Sequence, residues 1–230
     1  MTRFSAYGTL GVKQSHNNKP QMPDFANLLP FLAAALALNL TPGADMTYVI
    51  ARSATQGRSA GIAASFGIAA GSVAHTLLAA FGVAALVARS ETAFMAIKVG
   101  GALYLLYLAW KAIRASANAV ALKELPPVKN SRVFAEGALT NLLNPKVALF
   151  ILAFLPQFVD PARGSVIVQI LMLGLIFNIG GTTVNCIVAI SAGAAAGMLR
   201  GSERFSRWLN RFTALVFVGL ALRLAFAERR

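Results

Sequence analysis

Long apolar runs separated by short polar gaps fill the chain from Phe25 onward, and six of them approach or exceed the length that crosses a bilayer, about 20 residues. They are Phe25–Ile50, Ala60–Ala88, Ala93–Ala112, Phe134–Leu155, Ser165–Ile190 and Trp208–Ala227, with Arg211 and Arg223 crowding the ends of the last. Two of the runs share one interruption. The first contains Leu38-Asn39-Leu40-Thr41-Pro42-Gly43-Ala44-Asp45 and the fourth Asn141-Leu142-Leu143-Asn144-Pro145-Lys146. Thr or Asn before Pro is the pattern of an N-cap and a first helical position. A second helix is therefore predicted to start inside each apolar segment, at Thr41-Pro42-Gly43 and at Asn144-Pro145. Broken helices at corresponding places in two halves of a membrane protein point to a transporter's binding site.

The gaps are short except Lys111–Arg132, which holds Pro126-Pro127 and most of the mid-chain charge. It divides the chain into residues 22–112 and 133–230 around a linker at 113–132. Three helices is an odd number, so tandem halves must lie in opposite orientations, the inverted-repeat plan of many secondary transporters. The predicted fold is an all-α membrane protein of six transmembrane helices, two inverted three-helix halves with broken first and fourth helices.

Composition agrees. Of 230 residues 57% are hydrophobic and 13% charged, where a soluble domain carries about a quarter charged; mean hydropathy is +0.65. A net charge of +13 could suit nucleic acid, but the basic residues sit in the gaps between apolar runs rather than on an aromatic-studded surface. Cys186 is the single cysteine, which excludes a disulfide and a CxxC redox site; a buried, inert thiol is expected. Met1–Gln21 is polar and lacks the apolar core of a secretory signal, so it reads as a disordered extension, with Met22 a natural start.

Loop charge gives an orientation. Arg52, Arg58, Lys111, Arg114, Lys123, Lys129, Arg132, Arg200, Arg204 and Arg207 lie in the first, third and fifth loops, and only Arg89 and Arg163 in the second and fourth. The positive-inside rule places the first set in the cytoplasm and both termini outside. Arg3, Lys13, Lys19, Arg229 and Arg230 in the tails pull the other way.

Asp45 leads the candidate chemistry. In the first turn of a new half-helix its carboxylate is stabilised by free N–H groups and the positive dipole end. It can bind a substrate ammonium or exchange a proton; the alternative is a structural carboxylate paired with Arg52. Intramembrane acids are functional by default. Asn144-Pro145-Lys146 is the counterpart, a helix N-terminus suited to an anion with a full positive charge added. An amino-acid carboxylate would suit this end and its ammonium Asp45; alternatively Lys146 snorkels, or pairs with Asp45 when the site is empty. Asn141, one turn earlier, can satisfy carbonyls freed by Pro145. His75 could relay protons or simply bond a neighbour. Asn178, Thr182 and Asn185 share a face by i, i+4, i+7 spacing, and that stripe faces either a cavity or a neighbouring helix. Gly67/Gly71 and Gly193/Gly197 are spaced for close helix packing. Lys98 is expected to snorkel, and Tyr104, Tyr107 and Trp110 form an interfacial belt. No GxSxG, HExxH or cysteine pair suggests an enzyme, and two histidines with one cysteine make a poor soft-metal site.

Three blocks carry a family resemblance. The first is Leu40-Thr41-Pro42-Gly43-Ala44-Asp45 followed by Arg52-Ser53 and Gln56-Gly57-Arg58-Ser59-Ala60-Gly61. The second is Lys98-Val99-Gly100-Gly101-Ala102 leading to Tyr104-Leu105-Leu106-Tyr107-Leu108-Ala109-Trp110. The third runs from Phe134-Ala135-Glu136-Gly137 through Asn141-Leu142-Leu143-Asn144-Pro145-Lys146 to Phe154-Leu155-Pro156-Gln157-Phe158. In this order they resemble the lysine exporter/homoserine-resistance (LysE/RhtB) amino-acid efflux family, from about Met22 to the C-terminus. Ala44 replaces the proline usual after Pro-Gly in that family, which loosens the break, and Ala109 stands where glycine is common. The resemblance implies export of amino acids or close derivatives across the bacterial inner membrane, driven by proton motive force. The implied partners are a small amino-acid substrate, protons, the lipid bilayer and optionally further copies of the chain, with no nucleic acid, cofactor or metal. A small channel and a metal-ion efflux protein of the same superfamily are the alternatives.

Overall fold

A computed structural model describes residues 25–89, 91–114, 126–191 and 203–226. The helices are α1 Phe25–Leu40, α2 Ala44–Gln56, α3 Arg58–Arg89, α4 Glu91–Arg114, α5 Asn130–Leu142, α6 Pro145–Leu149, α7 Val166–Ile190 and α8 Glu203–Phe226. After α6 the chain widens into a π-helical turn at Phe150–Phe154 and tightens into 3-10 turns at Leu155–Phe158 and Pro161–Arg163. No strand occurs among the described residues, so the all-α reading holds. The polar segment Met1–Gln21, Lys123 and the Gly193/Gly197 pair lie outside them.

Both interruptions exist, and α1 meets α2 at a bend of 48° while α5 meets the Pro145–Phe158 segment at 54°. Arg58–Gly82 of α3 and α7 are each long and apolar enough to cross a membrane, and the two bent pairs raise the number to four. α4 and α8, 24 residues each, occupy the remaining two predicted positions. Proline is the physical cause of each break, because it lacks an N–H and its ring meets the carbonyl four residues back. At the second break Asn144 is an N-cap as predicted, its Oδ1 accepting from the Lys146 N–H at 3.0 Å, with Pro145 first in the helix. The first break differs. Gly43, not Thr41, is the N-cap of α2 and offers no side chain for capping. Thr41 turns back instead, its hydroxyl donating to the Ala37 carbonyl at 2.6 Å and meeting the Thr213 hydroxyl of α8 at 2.9 Å. The chain passes through Pro42 and an extended Gly43 before helix resumes at Ala44.

The two bent spans run antiparallel. Arg52 near the end of α2 meets Glu136 near the start of α5, while Phe31 near the start of α1 packs on Phe154 and Phe158 at the end of the second span. α3 packs most extensively on α5, then on α7, and α4 packs on α8. A core of Phe31, Leu38, Phe150, Phe154, Phe158, Leu173, Phe177 and Phe217 fills the side of the first break remote from Arg52, and a smaller cluster of Val49, Ala60, Ala64, Ile68 and Val133 lies beside Arg52. Large apolar side chains such as Leu78, Phe81, Leu175 and Leu215 point outward, as lipid-facing positions should.

Glycine sets the α3–α5 distance. A Cβ at Gly67 would enter the Phe134 carbonyl, one at Gly71 would lie 2.7 Å from the Ala138 carbonyl, and one at Gly137 2.7 Å from the Ala64 carbonyl. Backbone cannot yield as a side-chain tip can, so Gly137→Ala is expected to lower stability by about 1–3 kcal/mol. Gly82, with open space around it, should accept alanine without loss. Thermal unfolding of the two variants in detergent checks this, and equal midpoints would mean that α3 and α5 are not in close contact.

Candidate functional site

The two breaks satisfy each other. Pro42 cannot donate to the Leu38 carbonyl, and the Lys146 ammonium takes that oxygen at 3.1 Å together with the Thr41 carbonyl at 2.9 Å. A cation from the second half thus caps the negative C-terminal end of α1. Gly43 makes room for it, since a Cβ there would lie 3.2 Å from Lys146 Nζ. Pro145 likewise cannot donate to the Asn141 carbonyl, which accepts instead from the Asn144 N–H at 2.9 Å and meets His75 Nε2 of α3 at 3.2 Å. A carbonyl can only accept, so Nε2 carries the proton. The Asn144 N–H and His75, rather than the side chain of Asn141, satisfy that carbonyl, and the second of these bonds accounts for a buried imidazole in the second span. Tyr104 on α4 also reaches this break, donating to the Pro145 carbonyl at 3.3 Å, while Tyr107 and Trp110 are half exposed where an interfacial belt was expected.

Asp45 lies across from Asn141. Asn141 Nδ2 donates to Asp45 Oδ2 at 2.8 Å, joining the first turn of α2 to the last turn of α5. Among the described residues no ion pair joins Asp45 to Lys146 or to Arg52: the ammonium is occupied by the α1 carbonyls and Arg52 by Glu136. Asp45 Oδ1, Asn141 Oδ1 and Ser72 Oγ are buried without a protein partner.

These three residues line one cavity of about 30 Å³, together with Asn39, Ile68, Ala69, Val147, Phe177, Asn178, Gly181, Thr182 and Asn185. The Asn178, Thr182, Asn185 stripe of α7 therefore faces a cavity. Asn178 spends one bond on α3, Nδ2 donating to the Ala69 carbonyl at 2.8 Å, and Thr182 donates to Asn178 Oδ1 at 3.2 Å. Of the other predicted positions, Thr41, Pro42, Gly43, Asn144, Pro145 and Lys146 build the breaks around the cavity without lining it, and His75 touches it only through Asn141. Asn39 and Ser72 were missed. Asn39 is an intramembrane amide and could have been found on the argument used for Asn178; Ser72 sits among small residues with no distinguishing signal. Cys186 is half-buried, not enclosed, because α7 turns that face away from the core. The Lys98 side chain lies outside the described part of the structure. Among the described residues no three metal-ligating side chains come together.

Among the described residues Asp45 is the one charged group on a cavity otherwise walled by amides, hydroxyls and apolar groups. Two lone-pair oxygens without donors call for a ligand that donates. A volume of about 30 Å³ holds about two waters, so any larger solute must widen it.

Antiparallel broken helices enclosing a polar cavity define this chain as a multi-pass membrane transporter. Residues 36–228 match the family described as LysE type translocator, and the chain belongs to that family. Its relatives include an uncharacterized membrane protein of Vibrio cholerae, 32% identical over 87% of this chain and 97% of the relative. Another, from Pseudomonas aeruginosa, is 30% identical over 82% and 89%. The uncharacterized membrane protein YrhP of Bacillus subtilis is 26% identical over 86% and 97%. These likenesses and the apolar helices make it a multi-pass protein of a bacterial membrane. No solved structure matches significantly.

Proposed function

We propose that this chain is a secondary exporter of amino acids or close derivatives of the homoserine, threonine or lysine type, coupled to protons, in the bacterial inner membrane. The observation that carries the reading is the pair of unpartnered buried acceptors, Asp45 Oδ1 and Asn141 Oδ1, on the cavity between the two breaks. An ammonium group brings three donors and a positive charge, which satisfies both oxygens and neutralises the carboxylate. The amides of Asn39, Asn178 and Asn185 are then the donors left for a carboxylate. Lys146, committed to α1 carbonyls, holds the break open instead of binding solute. A zwitterion suits this arrangement better than a dication, because Lys146 stands behind Asp45 and repels a second positive charge. Proton coupling follows from Asp45 as the group that a proton or an ammonium can neutralise, one at a time. The test is export from cells fed dipeptides of each amino acid, with and without the gene. Gene-dependent efflux of one or a few amino acids supports the reading, and no difference for any of them rejects it.

The orientation of this reading places the linker and the α2–α3 turn in the cytoplasm. A cysteine at Lys123, with Cys186 replaced, should be shielded from impermeant thiol reagents in intact cells, and one at Arg163 should be labelled. The reverse pattern would invert the topology.

A further inference from the structure

Arg52 is a charged side chain held 3% exposed, and no part of the cavity chemistry uses it. Its guanidinium bonds Glu136 Oε2 of α5 at 2.5 Å, the Pro126 carbonyl of the linker end at 3.0 Å, Gln56 Oε1 at 3.0 Å and the Tyr48 hydroxyl at 3.2 Å. The last two partners extend the cluster across the same seam. Tyr48 reaches the Val133 carbonyl at 3.1 Å and Glu136 Oε2 at 3.0 Å. Gln56 clasps Val128, donating to its carbonyl at 2.6 Å and accepting from its N–H at 3.1 Å. Arg132 holds the second oxygen of Glu136 at 3.0 Å. These bonds tie one face of α2 to the segment that begins the second half.

α2 is also jointed. Gly43 precedes it in extended backbone, and Gly57 follows it at φ 87° and ψ 176°, a region almost confined to glycine. α3 and α5 are fixed to each other by glycine-mediated backbone contact, whereas α2 meets α5 through side chains alone: the Asp45–Asn141 and Arg52–Glu136 hydrogen bonds at its two ends, with Tyr48 and the apolar cluster of Val49 and Val133 between them. Asp45 and Arg52 lie seven residues apart, about 10 Å along the helix. Whatever separates α2 from α5 on the Arg52 side opens a path from that side to Asp45.

We propose that α2 is a gating arm hinged at Gly43 and Gly57, and that Arg52, Glu136, Tyr48 and Gln56, with the Pro126–Lys129 strap, are the latch that closes the cavity on the linker side. The inference rests on reading the cavity as the solute's site, but its test needs no solute. A reporter cysteine at Ser72, on the cavity, is placed in a Cys186→Ala chain, and its reaction with an impermeant maleimide is timed in right-side-out and inverted membrane vesicles. Lys129→Cys and Arg163→Cys mark the two faces independently. Glu136→Gln removes the charge from the latch, and loss of a charged hydrogen bond should raise the Ser72→Cys labelling rate about tenfold or more from the face that labels Lys129→Cys. The exchange Arg52→Glu with Glu136→Arg should return the rate toward the parent. Unchanged labelling, or an equal rise from both faces, shows a staple that merely stabilises the fold and overturns the proposal. If Glu136→Gln fails to insert, Gln56→Ala, which removes both Val128 bonds from the strap and one acceptor from Arg52, carries the same expectation and the same refutation.

Discussion

Asp45→Asn is expected to reduce export to the level of cells without the gene, while the protein still inserts at normal abundance. Asparagine keeps the shape and the Asn141 contact, since its Oδ1 can accept the Nδ2 bond that Asp45 Oδ2 accepts at 2.8 Å. What it removes is the negative charge of Asp45 on the cavity wall. An ammonium entering the asparagine site gives up its hydration without a counter-charge, a penalty of several kcal/mol in a low-dielectric interior. A proton has no carboxylate to occupy. Binding and coupling therefore fail together. Export at the parent rate, with membrane levels matched by immunoblot, would take Asp45 out of the mechanism.

Lys146→Met is expected to act through the fold. Methionine fills a similar volume but leaves the Leu38 and Thr41 carbonyls without the ammonium that bonds them at 3.1 and 2.9 Å. Losing a buried charge from two backbone acceptors should cost about 2–5 kcal/mol, read as a fall in thermal midpoint in detergent. A direct Asp45–Lys146 pair would make the double variant less damaging to folding than either single one, because no charge would be left stranded. The structure pairs each with other groups but leaves the two charges close to each other, so the double variant should recover part of the summed losses from Asp45→Asn and Lys146→Met, about 1 kcal/mol. A coupling energy well above that would mean that the two charges meet directly.

The proline breaks were legible because proline acts locally, through the ring and missing N–H of Pro42 and Pro145, whatever surrounds them. The apolar runs that became α3, α7 and the two bent pairs were legible because the bilayer imposes a length. The ends of the helices were less so: α2 continues six residues past Ile50 to Gln56, and α5 begins at Asn130 rather than Phe134. Those extra turns are polar, and hydropathy does not register them. They carry Arg52, Gln56 and Arg132 of the Arg52 cluster, in which Arg52 and Glu136 lie 84 residues apart, a pairing fixed by the antiparallel packing of the spans. The role of Lys146 was hidden for a related reason. A lysine beside an aspartate in a membrane suggests an ion pair, and only the geometry of the first break shows two carbonyls closer to hand. Residues on one helix, such as Asn178, Thr182 and Asn185, could be placed on a common face by spacing alone. Which neighbour that face meets depends on α3 and on the distance set by Gly67, Gly71 and Gly137.

The rings of Phe31, Phe150, Phe154 and Phe158 have a thermal consequence. They close the side of the breaks away from Arg52 by stacking and edge contacts, with centroids 4.6–6.4 Å apart. Wetting such a cluster exposes apolar area, and hydration of apolar area carries a positive heat capacity. Parting a cluster of hydrogen bonds and charges exposes polar area, whose heat-capacity contribution has the opposite sign. The two faces of this protein therefore answer temperature differently: access through the rings has an enthalpy that grows on warming, while access past the charged cluster does not. Arrhenius plots that curve in opposite senses for the two halves of a transport cycle would be the imprint of that aromatic wall on the kinetics.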